Sequence, residues 1–308
     1  MMFADRVDGV PFSKDPAVVR LGERYLLYYS RPPGEGASGW GIGIAESSDL
    51  DHWTPISVLE PSQDCERNGL CAPGAIVLDD RVHLFYQTYG NGSRDAICHA
   101  VSDDGVHFVK DPSNPVFAPT GSWNNGRAID ADVLVVGDQL LLYFATRDPL
   151  GMVQLQGVAT APLSSDLGRD DWTQACDDAI LSPELDWEGQ CIEAAATCEH
   201  AGRFYMFYAG AYNNAPQQIG CAVSDDGISW TRLFDQPFLP NGEPGSWNSS
   251  ESGHPFVFVD RDRRTHLFFQ GNNDHGRTWY LSRVEVGWAD GRPHLLGQDG
   301  QTGGPAHG

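Results

Sequence analysis

Pro16-Ala17-Val18-Val19-Arg20-Leu21-Gly22-Glu23-Arg24-Tyr25-Leu26-Leu27-Tyr28-Tyr29 joins an apolar run, a short turn and an aromatic-rich run. The same build returns from Pro73 to Tyr86, Ala131 to Phe144, Ala194 to Tyr208 and Pro255 to Phe269. The pairs Tyr28-Tyr29, Phe85-Tyr86, Tyr143-Phe144, Phe207-Tyr208 and Phe268-Phe269 mark one register, with first members 57, 58, 64 and 61 residues apart. Self-similarity at a long, nearly fixed period marks a repeat architecture, and this period suits one propeller blade.

Each unit carries a second signal further on. Ser48-Asp49 leads to Trp53, Ser102-Asp103-Asp104-Gly105 to Phe108, Asp170-Asp171 to Trp172, and Ser224-Asp225-Asp226-Gly227 to Trp230, with a reduced fifth copy in Trp288-Ala289-Asp290-Gly291. Asp-Gly between apolar alternations signals a hairpin, so each copy is expected to join the third and fourth strands of a blade. The aromatic beside it is expected in the core between blades. Apolar stretches are rich in Val, Ile, Leu, Tyr and Phe, and none holds a capped 3.6-residue period, which excludes helical repeats and a parallel α/β sheet. The expected fold is all-β: a single five-bladed β-propeller of four-stranded antiparallel blades filling residues 1–308, with blades near 9–60, 66–118, 123–182, 187–240 and 247–298. Ring closure protects the sheet edges that an open array would expose.

Composition agrees with one globular unit: 41% of residues are hydrophobic and 20% charged. The 42 acidic residues against 20 basic ones give a formal charge of −22, which argues against nucleic acid as a partner and fits a soluble surface. No apolar run reaches the length of a membrane span, so no membrane partner is expected. Met1-Met2-Phe3-Ala4-Asp5-Arg6 lacks the basic-then-apolar order of a secretory signal. The seven cysteines (65, 71, 98, 176, 191, 198 and 221) form an odd set without a CxxC pair. Together these lead us to expect reduced thiols and a cytoplasmic location. Cys65 with Cys71, or Cys191 with Cys198, are the pairs an oxidising compartment would allow.

The first strand of each propeller blade lines the central channel. Counting back from the aromatic pairs, and allowing one extra turn residue in units four and five, the residue at each channel mouth is Asp15, Ala72, Asp130, Glu193 and His254. Three acids converging on one pore repel one another, which raises one carboxyl pKa while another stays ionised. That division serves acid/base catalysis. The same acids would equally serve a structural cation or pair with arginines, and residue types alone leave both readings open.

Lys14-Asp15-Pro16-Ala17-Val18-Val19-Arg20, followed by Tyr25-Leu26-Leu27-Tyr28-Tyr29-Ser30, resembles the opening blade of glycoside hydrolase family 43. Ala72-Pro73, Ala128-Ile129-Asp130 and Ile192-Glu193-Ala194 stand where that family has its Ala-Pro, its second Asp and its acid Glu, and Trp288-Ala289-Asp290-Gly291-Arg292-Pro293 resembles its closing segment. The resemblance implies that Asp15 activates water as general base, Glu193 protonates the leaving oxygen, Asp130 tunes and orients Glu193, and the hydrolysis is inverting. It implies no cofactor for the chemistry. His254 matches a family histidine on the axis, implying substrate contact and a metal ligand for a structural calcium ion or a water cluster. Departures occur at Ala131, Ala194-Ala195 and Cys71, where the family commonly has Pro, Gly-Pro or Ala-Pro, and Trp.

Other substrate-binding candidates are Phe12, Trp187 and Arg277. Phe12 precedes the expected base, and Arg277 resembles an arginine that reaches the centre in some family members. Trp123, Trp187 and Trp247 recur six or seven residues before an axial position, which favours packing; Trp187 is the candidate for sugar stacking because its link leads into Glu193. Arg147-Asp148-Pro149 resembles a motif of the related family 32 but follows a second strand, so coincidence is the better explanation. The expected substrate is an oligosaccharide, cleaved from its end at an arabinofuranosyl or xylosyl residue. Alternatives are a fructosidase or agar-oligosaccharide hydrolase, an inverting phosphorylase, for which two lysines offer little phosphate-binding charge, and a non-catalytic sugar-binding propeller.

Overall fold

The computed structural model describes residues 2–37 and 39–297. Residue 1 and residues 298–308, the ends of the expected domain, lie outside them. Five antiparallel sheets form the ring of a five-bladed β-propeller. Blade I runs Lys14–Leu21, Arg24–Arg31, Gly41–Ser47 and Thr54–Leu59; blade II runs Leu70–Leu78, Arg81–Thr88, Ile97–Ser102 and Val109–Lys110. Blade III runs Ile129–Val136, Gln139–Arg147, Gln154–Pro162 and Thr173–Gln174; blade IV runs Ile192–His200, Arg203–Gly210, Gln218–Ser224 and Thr231–Arg232. Helical structure among the described residues is confined to four three-residue 3-10 turns.

Blade V has a composite outer edge. Glu251–Val259, Thr265–Asn272 and Tyr280–Ala289 continue into Arg292–Leu295, while Met2–Phe3 pairs with the other end of Tyr280–Ala289. The N-terminal residues thus close the ring, which the repeat alone did not reveal because they lie before the first repeat. Phe3 is buried edge-to-face against Tyr29, with ring centroids 5.2 Å apart.

The expected hairpins form, and the aromatic of each knits its blade to the preceding one. Phe108 packs on Tyr28, Trp172 on Phe85, Trp230 on Tyr143, Trp288 on Tyr205 and Trp53 on Phe268, all with centroids 4.6–6.4 Å apart. Their geometry is steeply tilted or edge-to-face, the favoured arrangement for aromatic pairs. The hydroxyls of Tyr28, Tyr143 and Tyr205 donate to the turn carbonyls of Gly105, Gly227 and Gly291 at 2.9, 2.7 and 2.7 Å, so buried phenols are satisfied across the same seams.

Two links are fixed by buried acids. Glu66 accepts hydrogen bonds from Tyr86 and Lys110, and Glu188 from Tyr208 and Arg232. Full burial of a carboxylate is tolerated only with such partners, and each link leads into the inner strand of its blade.

Candidate active site

Every inner strand bulges where it enters the channel. Asp15 and Pro16 together oppose Tyr29, and the same two-against-one pairing falls at Ala72-Pro73, Asp130-Ala131, Ala194-Ala195 and His254-Pro255. The first residue of each pair has a left-handed backbone, with φ of 53°, 47°, 53°, 51° and 44°. Non-glycine residues adopt this conformation at a cost of about 1–3 kcal/mol, and bulges of this kind re-aim side chains beside active sites. Proline follows readily because the bulge skips a ladder hydrogen bond.

This register corrects the position assigned to Glu193. Unit four has the same two-residue turn as unit one, with His200 pairing Arg203 as Leu21 pairs Arg24, so no extra residue is needed and its bulge residue is Ala194. Glu193 stands one residue earlier, in the place held by Lys14, Cys71 and Ile129 in blades I to III. Both positions line the pocket, so Glu193 still meets Asp15, Asp130 and His254 there.

The bulges are gripped by the preceding blade. Ser30 accepts from the Ala72 N–H at 2.7 Å, Gln87 from Asp130 at 2.8 Å, Gln217 from His254 at 3.1 Å, and Gln270 from Asp15 at 3.0 Å. At blade IV the grip falls on the carboxylate itself: Gln154 of the preceding blade donates to Oε2 of Glu193, and Gln217 of the same blade donates its amide to Oε1 at 2.6 Å. These residues carry no chemical motif and are distant in sequence from what they hold.

The pocket is a cavity of about 210 Å³. Burial pushes the Asp15 carboxyl up, but His254 at 3.2 Å and Lys14 at 3.9 Å outweigh it and hold the group below its ordinary range. Asp130 goes the other way: burial, then repulsion from Glu193 and Asp15, drives it well above the carboxylate range. Burial lowers His254 despite the acids beside it. One acid, Asp15, is therefore held ionised while a second, Asp130, retains a proton, the arrangement needed to take a proton at one point and deliver one at another.

Phe12 stands behind the pocket, edge-to-face with Trp40 at 5.7 Å, and Trp40 with Tyr89 forms the aromatic wall. Trp187 lies outside the pocket lining. It stacks on Tyr208 at 6.0 Å and donates to the Asp235 carbonyl, as Trp123 and Trp247 pack on Phe144 and Phe269. Arg277 is exposed on a turn, also outside the lining. Arg147 lines the pocket after all, brought there by the hairpin that pairs it with Gln154, together with Arg127 and Lys14.

Atoms of Asp130, Glu193 and His254 lie within 4.8 Å of one another. Calcium takes six to eight oxygen ligands. One of these three residues offers nitrogen, and both Glu193 oxygens already accept amide hydrogens, so the set fits calcium poorly.

A five-bladed ring with axial carboxylates and an aromatic wall is the frame of a carbohydrate-active propeller. The chain belongs to glycosyl hydrolases family 43, whose model matches residues 10–293. It is similar to the sucrose-6-phosphate hydrolase of Escherichia coli, 24% identical over 303 residues that make up 90% of this chain and 54% of that protein. The chain spans between about a fifth and a half of the length of the curated relatives it matches. Among solved structures, a thermostable family-43 glycoside hydrolase superposes with a TM-score of 0.75 at 21% identity, covering 96% of both chains. The alpha-L-arabinofuranosidase from Lactobacillus brevis does so with a TM-score of 0.73 at 16% identity, covering 92% of this chain and 93% of that one.

Proposed function

We propose that the protein is an inverting glycoside hydrolase that removes a terminal arabinofuranosyl or xylosyl residue from an oligosaccharide. The observation that carries this reading is the opposed state of the buried acids: Asp15 held ionised by His254 and Lys14, and Asp130 driven to hold a proton beside the amide-clamped Glu193. Asp15 takes a proton from water as the water oxygen bonds to the anomeric carbon. The glycosidic carbon–oxygen bond breaks as Glu193 takes up the proton held on neighbouring Asp130 and delivers it to the departing oxygen. Asp130 is a positioning residue that tunes Glu193 and holds the proton Glu193 delivers. No step needs a cofactor.

A cavity of about 210 Å³ lies below the usual range for whole-ligand sites, which favours one terminal ring over an internal chain segment. Family membership and the fold shared with the Lactobacillus brevis arabinofuranosidase favour a pentosyl group. A fructofuranosyl group is the second reading, favoured by a match to sucrose-6-phosphate hydrolase that reaches along 90% of the chain.

Turnover of aryl α-L-arabinofuranoside, β-D-xyloside, β-D-galactoside and β-D-fructofuranoside tests the substrate. Proton NMR of the first product tests the stereochemistry. Pentose released with its anomeric configuration inverted supports the proposal. Fructose release moves it to the second reading, retained configuration removes the inverting mechanism, and sugar 1-phosphate formed only with added phosphate replaces hydrolysis by phosphorolysis.

A further inference from the structure

We propose that the pocket also recognises a negatively charged group, a carboxylate or a phosphate monoester, on the sugar that departs from the scissile bond, with Arg147 as its principal contact and Arg127 beside it. Assigning the charge to the departing sugar rests on the hydrolase reading above; the existence of an anion site does not.

The chain is poor in cations, 20 basic residues against 42 acidic, yet Lys14, Arg127 and Arg147 all line this one small cavity. Two of the three have protein carboxylates to answer. Lys14 lies 3.9 Å from Asp15, and Nε of Arg127 lies 3.7 Å from Oδ2 of Asp95, close enough for charge balance but too far for a hydrogen bond. Nε of Arg127 is accordingly buried without a hydrogen-bond partner.

Arg147 is different. Among the described residues no carboxylate lies within 4.0 Å of it, and its one side-chain acceptor is the Gln154 amide oxygen, 3.2 Å from Nε. Among the described residues neither terminal amino group donates to a protein acceptor, while the Tyr212 ring, 5.7 Å from the guanidinium carbon, backs the group. A partly buried guanidinium that only balanced the pocket acids would sit against one of them. A fork with two free donors matches the paired oxygens of a carboxylate or phosphate.

Position supplies the rest. The Gln154 amide that accepts from Arg147 donates to Oε2 of Glu193, so the cation is one side chain from the carboxyl proposed to protonate the leaving oxygen. The proposed water-activating acid, Asp15, keeps its own neighbours, Lys14 and His254. A charge held at Arg147 therefore belongs with the departing sugar and not with the attacking nucleophile.

The test is a ligand-observed NMR titration of glucuronate, glucose 6-phosphate and glucose into the wild-type protein, Arg147→Gln and Arg147→Lys. At least one anion is expected to bind about 10- to 100-fold tighter than glucose, the worth of charge-assisted hydrogen bonds. Arg147→Gln should erase that margin and Arg147→Lys retain part of it, with circular dichroism confirming that both variants fold. A margin confined to glucuronate identifies a carboxylate, and one confined to glucose 6-phosphate a phosphate. Neither anion binding tighter than glucose, or a margin that survives in Arg147→Gln, overturns the proposal. Turnover of neutral aryl glycosides by the same wild-type preparation reports separately on hydrolysis, so either idea can fail alone.

Discussion

Nδ1 of His254 stands 3.2 Å from Oδ1 of Asp15, so an imidazole from the last blade meets a carboxylate from the first across the seam that closes the ring. Lys14 places a cation 3.9 Å from the same oxygen. Burial raises Asp15, and His254 with Lys14 more than offsets it. If Asp15 is the base, the acid limb of the kcat/KM profile follows its protonation. Removing either neighbour lets the carboxyl rise, since His254 is protonated in the acid range where Asp15 titrates, so Lys14→Gln and His254→Gln should each move that limb to higher pH. A limb that stays in place in both variants would assign it to another group.

Asp15→Asn and Glu193→Gln should each slow turnover about 10²- to 10⁴-fold on substrates with ordinary sugar leaving groups, the usual worth of general acid or base help. The two should part on an aryl glycoside with a good leaving group. Such a substrate needs little protonation, so Glu193→Gln regains much of its rate and Asp15→Asn does not. Equal losses on both substrates would contradict the assignment of acid and base, provided circular dichroism shows both variants folded.

The aromatic pairs and Asp-Gly turns made the blades legible because each holds the same place in its repeat, such as Tyr28 facing Ala17, and makes the same seam contact in most units. Asp15, Asp130 and His254 followed from counting along that repeat. The count failed by one residue at Glu193, where an extra turn residue was allowed and the chain instead makes the two-residue turn Ala201-Gly202, as in unit one. Gln87, Gln217 and Gln270 stayed hidden for another reason. Each acts on the next blade, 43, 37 and 255 residues away in sequence, and a glutamine carries no chemical signal until its neighbour is known. Arg147 was set aside on strand order, yet its hairpin delivers it to the pocket from a second strand.

Gln270 offers a test of positioning apart from contact. Its Oε1 accepts the Asp15 N–H at 3.0 Å, and its amide donates to buried Glu251 at 2.8 Å and to exposed Asn213 at 3.0 Å, but Gln270 itself does not line the pocket. Gln270→Leu keeps the volume and strands the two buried partners, the Asp15 N–H and Glu251, each at about 1–3 kcal/mol. The melting temperature should fall, and kcat should fall while KM changes little. A lower melting temperature with kcat untouched would mean that the bulge at Asp15 holds its place without this grip.

Asp132 isolates a pH effect on stability at the far end of the channel. It lines a wider cavity of about 560 Å³ there, two residues along the strand from Asp130, and its Oδ2 accepts from the Thr197 N–H at 2.8 Å and hydroxyl at 2.5 Å. Burial outweighs those hydrogen bonds and raises the carboxyl from 3.8 to about 7. Between those values the folded state binds the proton more tightly than the unfolded chain, so this group's contribution to stability declines as pH climbs through the window and is lowest above it. Asp132→Asn keeps an oxygen to accept both Thr197 donors and cannot ionise. The variant should therefore melt higher than wild type at pH 8 and close to it at pH 4, with glycoside turnover unchanged because the proposed chemistry lies at the other mouth. Thermal melts at the two pH values decide it: a difference that does not grow with pH would show that Asp132 does not titrate in this window.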